Sequence, residues 1–458
     1  MVTISAPVEF SAAGQEWAAN GKDVDLKFIG VLASHERVGV DGSVLFTGDQ
    51  AATTKGTRSR VWFAGDSGDT LKCLVVVSNI VCDIRHQKAF SKTFGLEIWS
   101  TGYYFTGDPH LFLHGLSVKF PVTFYDHQYE LVNSAQNSNA DITFDYPVKF
   151  LRSPEKTSGS SAFITVRDKV VFNSTVYSDY QLAFNNVAAN EGDKGVWCNG
   201  PVTVAGGDDL RNSNGPIRFA SDQNSWPRPF RLVGKGSMHS LVDYAFVRDS
   251  YILFYETPAF VDLHGHDQQI LSFWANWTKA DADDGLVAVV KSTGGVATIE
   301  LTDPTLNKSY FPFEFTDGAG VKLNVGSGKT LTFKRGRSNT KGPLVVASGT
   351  VAFSNSACWH GKSQVTVKGG ATLSITETGT FGDATDGCRT ALVVEQNGTL
   401  NLGADETVKS FVYAGGACAP GRYGKIGSGA QHELGCITGD GILTVLSVPN
   451  PGAVFIFK

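Results

Sequence analysis

The chain has 458 residues, too many for one ordinary compact core, whereas a repeat array has no such limit. Charged residues make up only 18 % and the formal charge is −5, which excludes the clustered Lys and Arg of a nucleic-acid surface. With 51 Gly and 30 Phe against 2 Met, the composition points to many short strands joined by tight turns, and no apolar run is long enough for a membrane-spanning helix.

Met1 leads directly into VTISAPVEF, which alternates like a strand and does not read as a secretory leader. AAGQEWAANG, residues 12–21, is the best helix candidate and is assigned to an N-terminal cap, because an open end of stacked strands exposes edges. SVLFTGD from Ser43 and RVWFAGD from Arg60 look like two related rungs. A looser series follows: PVTF at Pro121, PVKF at Pro147, KVVF at Lys169, PVTV at Pro201 and PIRF at Pro216. Proline suits the first position of a strand, which need not donate to the ladder.

The clearest periodicity lies between residues 321 and 402. VKLNVGSGKTLTF, LVVASGTVAF, QVTVKGGATLSI and ALVVEQNGTLNL each read as strand, turn, strand, with turns at Ser327-Gly328, Ser348-Gly349, Gly369-Gly370 and Asn397-Gly398. Equivalent positions are apolar, so stacked copies would bury one continuous column of side chains. At roughly 22 residues per coil the chain would make about 20 coils. The expected fold is all-β, a right-handed parallel β-helix forming a single elongated domain. Residues 1–60 are the cap and first coils, 61–257 irregular coils with long loops, and 258–458 the regular repeat with a C-terminal cap.

The seven cysteines show no zinc-ligand spacing. Cys73 with Cys82 would close a short loop, and Cys358, Cys388, Cys418 and Cys436 would bridge neighbouring coils. Buried thiols in a strand-rich core are an equally good reading.

From about Pro258 to Leu446 the chain resembles passenger regions of bacterial autotransporters that carry autotransporter-associated β-strand repeats. The stretches that carry the resemblance are VDLHGHDQQILSF (Val261 to Phe273), GPLVVASGTVAF, QVTVKGGATLSI, TALVVEQNGTLNLG and the closing GDGILTVL. AGGACAPGRYGKIGSGAQHELGCITGDGILTV is also similar to the last coils of large bacterial surface proteins. The resemblance implies a β-solenoid, secreted or on the outer cell surface, and says little about activity. No membrane barrel follows VPNPGAVFIFK, so secretion through such a barrel is not expected unless it has been removed.

Two functions compete. The first is an adhesin or structural protein that binds polysaccharide or cell-surface glycan, or associates with itself. Its ring platforms would come from WSTGYYF (Trp99, Tyr103, Tyr104), from Trp226 with Arg228, and from FWANW (Trp274, Trp277). The rival is a polysaccharide-degrading hydrolase or lyase. Gly207-Asp208-Asp209 fits one half of a polygalacturonase-like pattern, but His264-Gly265-His266 inverts the other half. An enzyme would use Asp208, Asp209, Asp222 or His264, with two carboxylates converging on one bond. A metal site at VDLHGHD would need two His and a carboxylate to meet, and His264 with His266 can share a strand face. A structural corner is preferred there, with Val261 and Leu263 inward, Asp262 and His264 outward, and His266-Asp267-Gln268 bonding free backbone groups. No cofactor or metal is expected, beyond weak calcium binding by ADADDG, residues 280–285.

Overall fold

A computed structural model describes residues 1–449 except for 11–14, 20–25, 31, 35–42, 49–59, 68–69, 79, 91–94, 100–110, 126–127, 133–140, 153–160, 167–168, 187–192, 206–208, 227–228, 257, 277–286, 307–309, 335–336, 355–357, 361–362 and 383–389. The described residues form an all-β parallel solenoid of about 12 turns, with no helix among them. Coil length varies widely. Val61 pairs with Cys82 in the next coil, but Leu26 pairs with Val61 only after a much longer excursion. The chain divides into two compact units, Met1–Arg231 with Lys235–Ser237, and Leu232–Gly234 with Met238–Lys458.

In the first unit, alternation along short Val- and Phe-rich strands aims every second side chain inward. Parallel stacking then places like residues on like. Val44, Val75, Leu96, Val122, Val148, Val176 and Val202 are successive partners in one sheet, and all are buried. On the same strands Phe124 stacks on Phe150 with ring centroids 5.1 Å apart; in a neighbouring sheet Phe144 stacks on Phe172 at 5.2 Å. The proline-led rungs divide between sheets. PVTF, PVKF and PVTV belong to one, KVVF and PIRF to another. Each proline before a rung withholds no ladder donor, while its carbonyl accepts, as Pro121 does from Leu96 N–H at 2.9 Å.

One expectation fails in this unit. Gln15–Ala19 is a strand and not a helix. Five residues are too few to repay helix nucleation, whereas a parallel partner, Ser43–Gly48, satisfies the backbone and Trp17 sets its ring edge-on to Phe10 and Phe28. SVLFTGD and RVWFAGD are both rungs but of different sheets: Val44 lies opposite Val75, while Val61 lies between Leu26 and Cys82.

In the second unit the regular repeat builds two columns. Val321, Leu344, Val365, Leu392 and Phe411 form one; Leu331, Val351, Leu373, Leu400 and Ile437 form the other. The turns between them are coil corners, not hairpins. Gly328, Gly349 and Gly370 hold positive φ there, and in the fourth turn Asn397 takes it, at 67°, in place of Gly398. At Gly349 a Cβ would also meet the Val325 carbonyl oxygen at 2.6 Å. Parallel pairing gives way at the end of this unit, where Gly416–Ala417 pairs antiparallel with Ser410–Tyr413, and Gly421–Gly424 with Leu443–Val445.

Cys73, Cys82, Cys198, Cys418 and Cys436 are not in disulfides, so no bridge joins Cys73 to Cys82 or Cys418 to Cys436. Cys73 and Cys82 are wholly enclosed, as core side chains. Burial raises the Cys82 thiol well above its ordinary value and pushes Cys436 up to about 11. Cys388 lies outside the described residues.

Candidate functional site

The stretch Val261–Phe273 lies in the second unit. Phe260–Asp262 is a strand that sets Val261 opposite Val290 and Asp262 opposite Lys291. The chain then turns sharply, with φ of 49° at His264 and 84° at Gly265. Positive φ is unfavourable for histidine and persists only where neighbours hold it. Asp262 supplies the hold. Its Oδ1 accepts the His264 N–H and the Thr293 N–H, each at 3.1 Å, and its Oδ2 accepts the Thr293 hydroxyl at 3.0 Å. Asp262 is therefore buried and not outward in solvent as alternation predicts, because Thr293 and Lys291 of the adjacent coil cover it.

Donor and acceptor roles propagate from there. Having donated to Asp262, the Thr293 hydroxyl can only accept from His264 Nδ1, 3.1 Å away. His264 is then protonated at Nδ1, and its Nε2 carries the lone pair. That nitrogen lies 2.8 Å from His239 Nδ1, which donates to it. The two imidazoles stack at 26°, and the His239 ring stands edge-on to Phe260. Lys291 Nζ lies 4.1 Å over the Phe260 ring and 3.7 Å from Asp262 Oδ2. One nitrogen from each histidine and one Asp262 oxygen all lie within 4.8 Å of one another.

The partner of His264 is thus His239 from a neighbouring coil. His266 points elsewhere, toward Asp243 at 3.3 Å. The rest of the corner behaves as its polarity predicts. Asp267 Oδ1 accepts the Thr298 N–H at 2.7 Å, while Gln268 accepts from Phe246 N–H and donates to the Val242 carbonyl.

A related turn occurs in the first unit. Leu113-His114-Gly115 repeats Leu263-His264-Gly265, again with positive φ at the histidine and glycine, 22° and 75°. Here too an enclosed aspartate meets the histidine: Asp83 lies 2.7 Å from His114 Nε2. Asp83 also takes Arg85 at 3.0 Å and Arg60 at 3.5 Å, and the Arg85 guanidinium sits 4.0 Å from the Trp62 ring centre. The same tripeptide therefore serves a cation-rich ion-pair cluster in one unit and a histidine pair in the other.

Of the other residues singled out by sequence, Asp208, Tyr103, Tyr104, Arg228 and Trp277 lie outside the described residues, as does 280–285. Asp209 is buried in an ion pair with Arg231, Nε to Oδ2 at 2.5 Å, and also receives the Gln181 amide at 3.3 Å. Asp222 is exposed on a turn. Trp226 is a core side chain packed against Phe219 and Phe230, so it offers no face to a sugar. Trp274 is half-buried beside Tyr251, ring centres 5.7 Å apart. Trp99 is half-buried and lies flat on Tyr125, with centroids 3.9 Å apart and planes at 17°. Its indole N–H donates to Glu97 at 3.1 Å. Burial first, then the Glu97 and Asp179 charges and the Glu97 hydrogen bond, raise the Tyr125 hydroxyl above its ordinary value.

His239 and Thr293 escape sequence reasoning because they reach His264 from other coils. The recurring Leu-His-Gly was the available signal. Comparison with family models, with curated proteins and with solved structures finds no match.

Proposed function

We propose that the protein is a secreted or cell-surface β-solenoid that binds glycans on the outer face of a sheet in its first unit. The observation that carries this reading is the Trp99–Tyr125 pair. The two residues are register partners on adjacent coils, and their rings stack face to face on the outer side as a short aromatic ladder. Beside the stacked rings runs a polar row, Glu97, Thr123, Lys149 and Tyr177, set by the same register. A sugar ring has an apolar face and a polar rim, so it can pack on the ring surface that the stack leaves uncovered while its hydroxyls meet the row. The autotransporter-like repeats support an extracellular setting. The hydrolase or lyase alternative needs a carboxylate at liberty to move protons, and Asp209 is held by Arg231 and Gln181.

Affinity electrophoresis in gels cast with plant and host polysaccharides tests the proposal. At least one polymer should retard the protein, and Trp99→Ala or Tyr125→Ala should relieve most of the retardation. Unretarded migration in every gel, or retardation untouched by both substitutions, would count against it. Reducing ends or unsaturated products released by the wild type and lost in Asp209→Ala would favour the enzyme instead.

A further inference from the structure

We propose that His239, Asp262 and His264 bind one divalent transition-metal ion of the zinc class, with a fourth coordination position open to water or an outside ligand. The site lies in the second unit and does not depend on the glycan reading. Zinc holds imidazole nitrogens and carboxylate oxygens at about 2.0–2.2 Å in a tetrahedron, which sets neighbouring ligand atoms about 3.3 Å apart. Two of the three spacings bracket that value, 2.8 Å between His239 Nδ1 and His264 Nε2 and 3.6 Å between His264 Nε2 and Asp262 Oδ2, and the three ligand atoms lie within 4.8 Å of one another. A single proton lies between the two nitrogens, and a metal ion entering there displaces it to His239 Nε2, so that both imidazoles stay neutral.

The surrounding groups are arranged as a metal site requires. The Thr293 hydroxyl accepts a hydrogen bond from His264 Nδ1–H and donates one to Asp262, which fixes the tautomer that leaves Nε2 as a ligand. Entry is from the His264 side, where the side chain is 31 % exposed against 2 % for Asp262. Two imidazoles with one carboxylate select zinc, nickel or copper over calcium and magnesium, which prefer all-oxygen sites. One group opposes a cation, the Lys291 ammonium near Asp262 Oδ2, and its flexible stem lets it swing away. Without metal chemistry, the same contacts would be a structural histidine pair that keeps its proton.

Calorimetric titration of the chelator-treated full chain with zinc, repeated with calcium, separates the two. The expected result is saturation at one zinc per chain and no calcium heat. His239→Gln and His264→Gln should abolish saturation. Thr293→Val should weaken zinc about 10- to 100-fold, Thr293→Ser should restore it, and Lys291→Met should tighten it. Unchanged far-ultraviolet dichroism shows that each variant is folded. Absence of saturable zinc binding in the wild type would overturn the proposal, as would zinc binding that survives both histidine substitutions. Zinc binding indifferent to Thr293→Val would overturn the positioning role of Thr293.

Discussion

Replacing Phe144 by alanine removes a ring that lies 5.2 Å from Phe172 at an angle of 14°, with both side chains enclosed. The two residues are register partners on Ile142–Phe144 and Lys169–Phe172. Loss of the apolar contact, together with the cavity left behind, should cost about 3–5 kcal/mol. Of that, about 0.5–1.5 kcal/mol is the ring–ring term. Thr143 is the control: it sits on the same strand, faces outward and is half-exposed, so Thr143→Ala should stay within about 0.5 kcal/mol of the wild type. Urea denaturation followed by far-ultraviolet dichroism measures all three, together with the Phe144→Ala/Phe172→Ala double variant. The double should cost less than the two singles added, because each single already abolishes the shared stack. A one-residue slip of this strand would exchange the faces of Thr143 and Phe144. Equal losses for Thr143→Ala and Phe144→Ala would therefore refute the register, and with it the inward column.

Two further outcomes follow from enclosed charges. Asp83→Ala leaves Arg60, Arg85 and His114 around a vacated carboxylate and should cost about 3 kcal/mol in thermal or urea unfolding, at the lower end for buried pairs because both arginines are partly exposed. Asp83→Asn, which keeps the shape, should cost less. Glu406 is buried, and desolvation pushes its carboxyl from 4.5 up to about 7 although the Thr380, Phe381 and Thr407 N–H groups point at it. The folded chain thus holds this proton more tightly than the unfolded one. Its stabilisation is complete below pH 4.5 and is lost as pH rises to about 7. The loss amounts to roughly 3 kcal/mol at about 1.4 kcal/mol per pH unit. Glu406→Gln should flatten that part of the stability profile in urea titrations, and an unaltered slope would contradict the assignment.

Sequence alone revealed the inward columns, because alternation decides which side of a strand a residue takes without knowledge of its neighbours. Val321 and Leu323, or Leu331 and Phe333, needed no more than that. The small-residue turns were equally legible, since positive φ restricts the choice of residue at each corner. Alternation cannot say which coil lies next. SVLF and RVWF look alike yet belong to different sheets, since the excursions between strands differ in length. The same gap hid the site. His264 was visible, but His239 and Thr293 reach it only through stacking, and His266, its neighbour in sequence, turns away. Trp17 misled for a related reason: its segment is polar enough for a helix and becomes a strand through pairing with Ser43–Gly48.

The two-residue strand Gly416–Ala417 folds back along Ser410–Tyr413 and occupies the amides of that rim. A rim already claimed by its own polypeptide, and by so brief a segment, gives an incoming molecule almost no template on which to extend the ladder. Where Val412 and Tyr413 are covered, a second copy meets a strand already paired, which narrows one route to fibrous accretion.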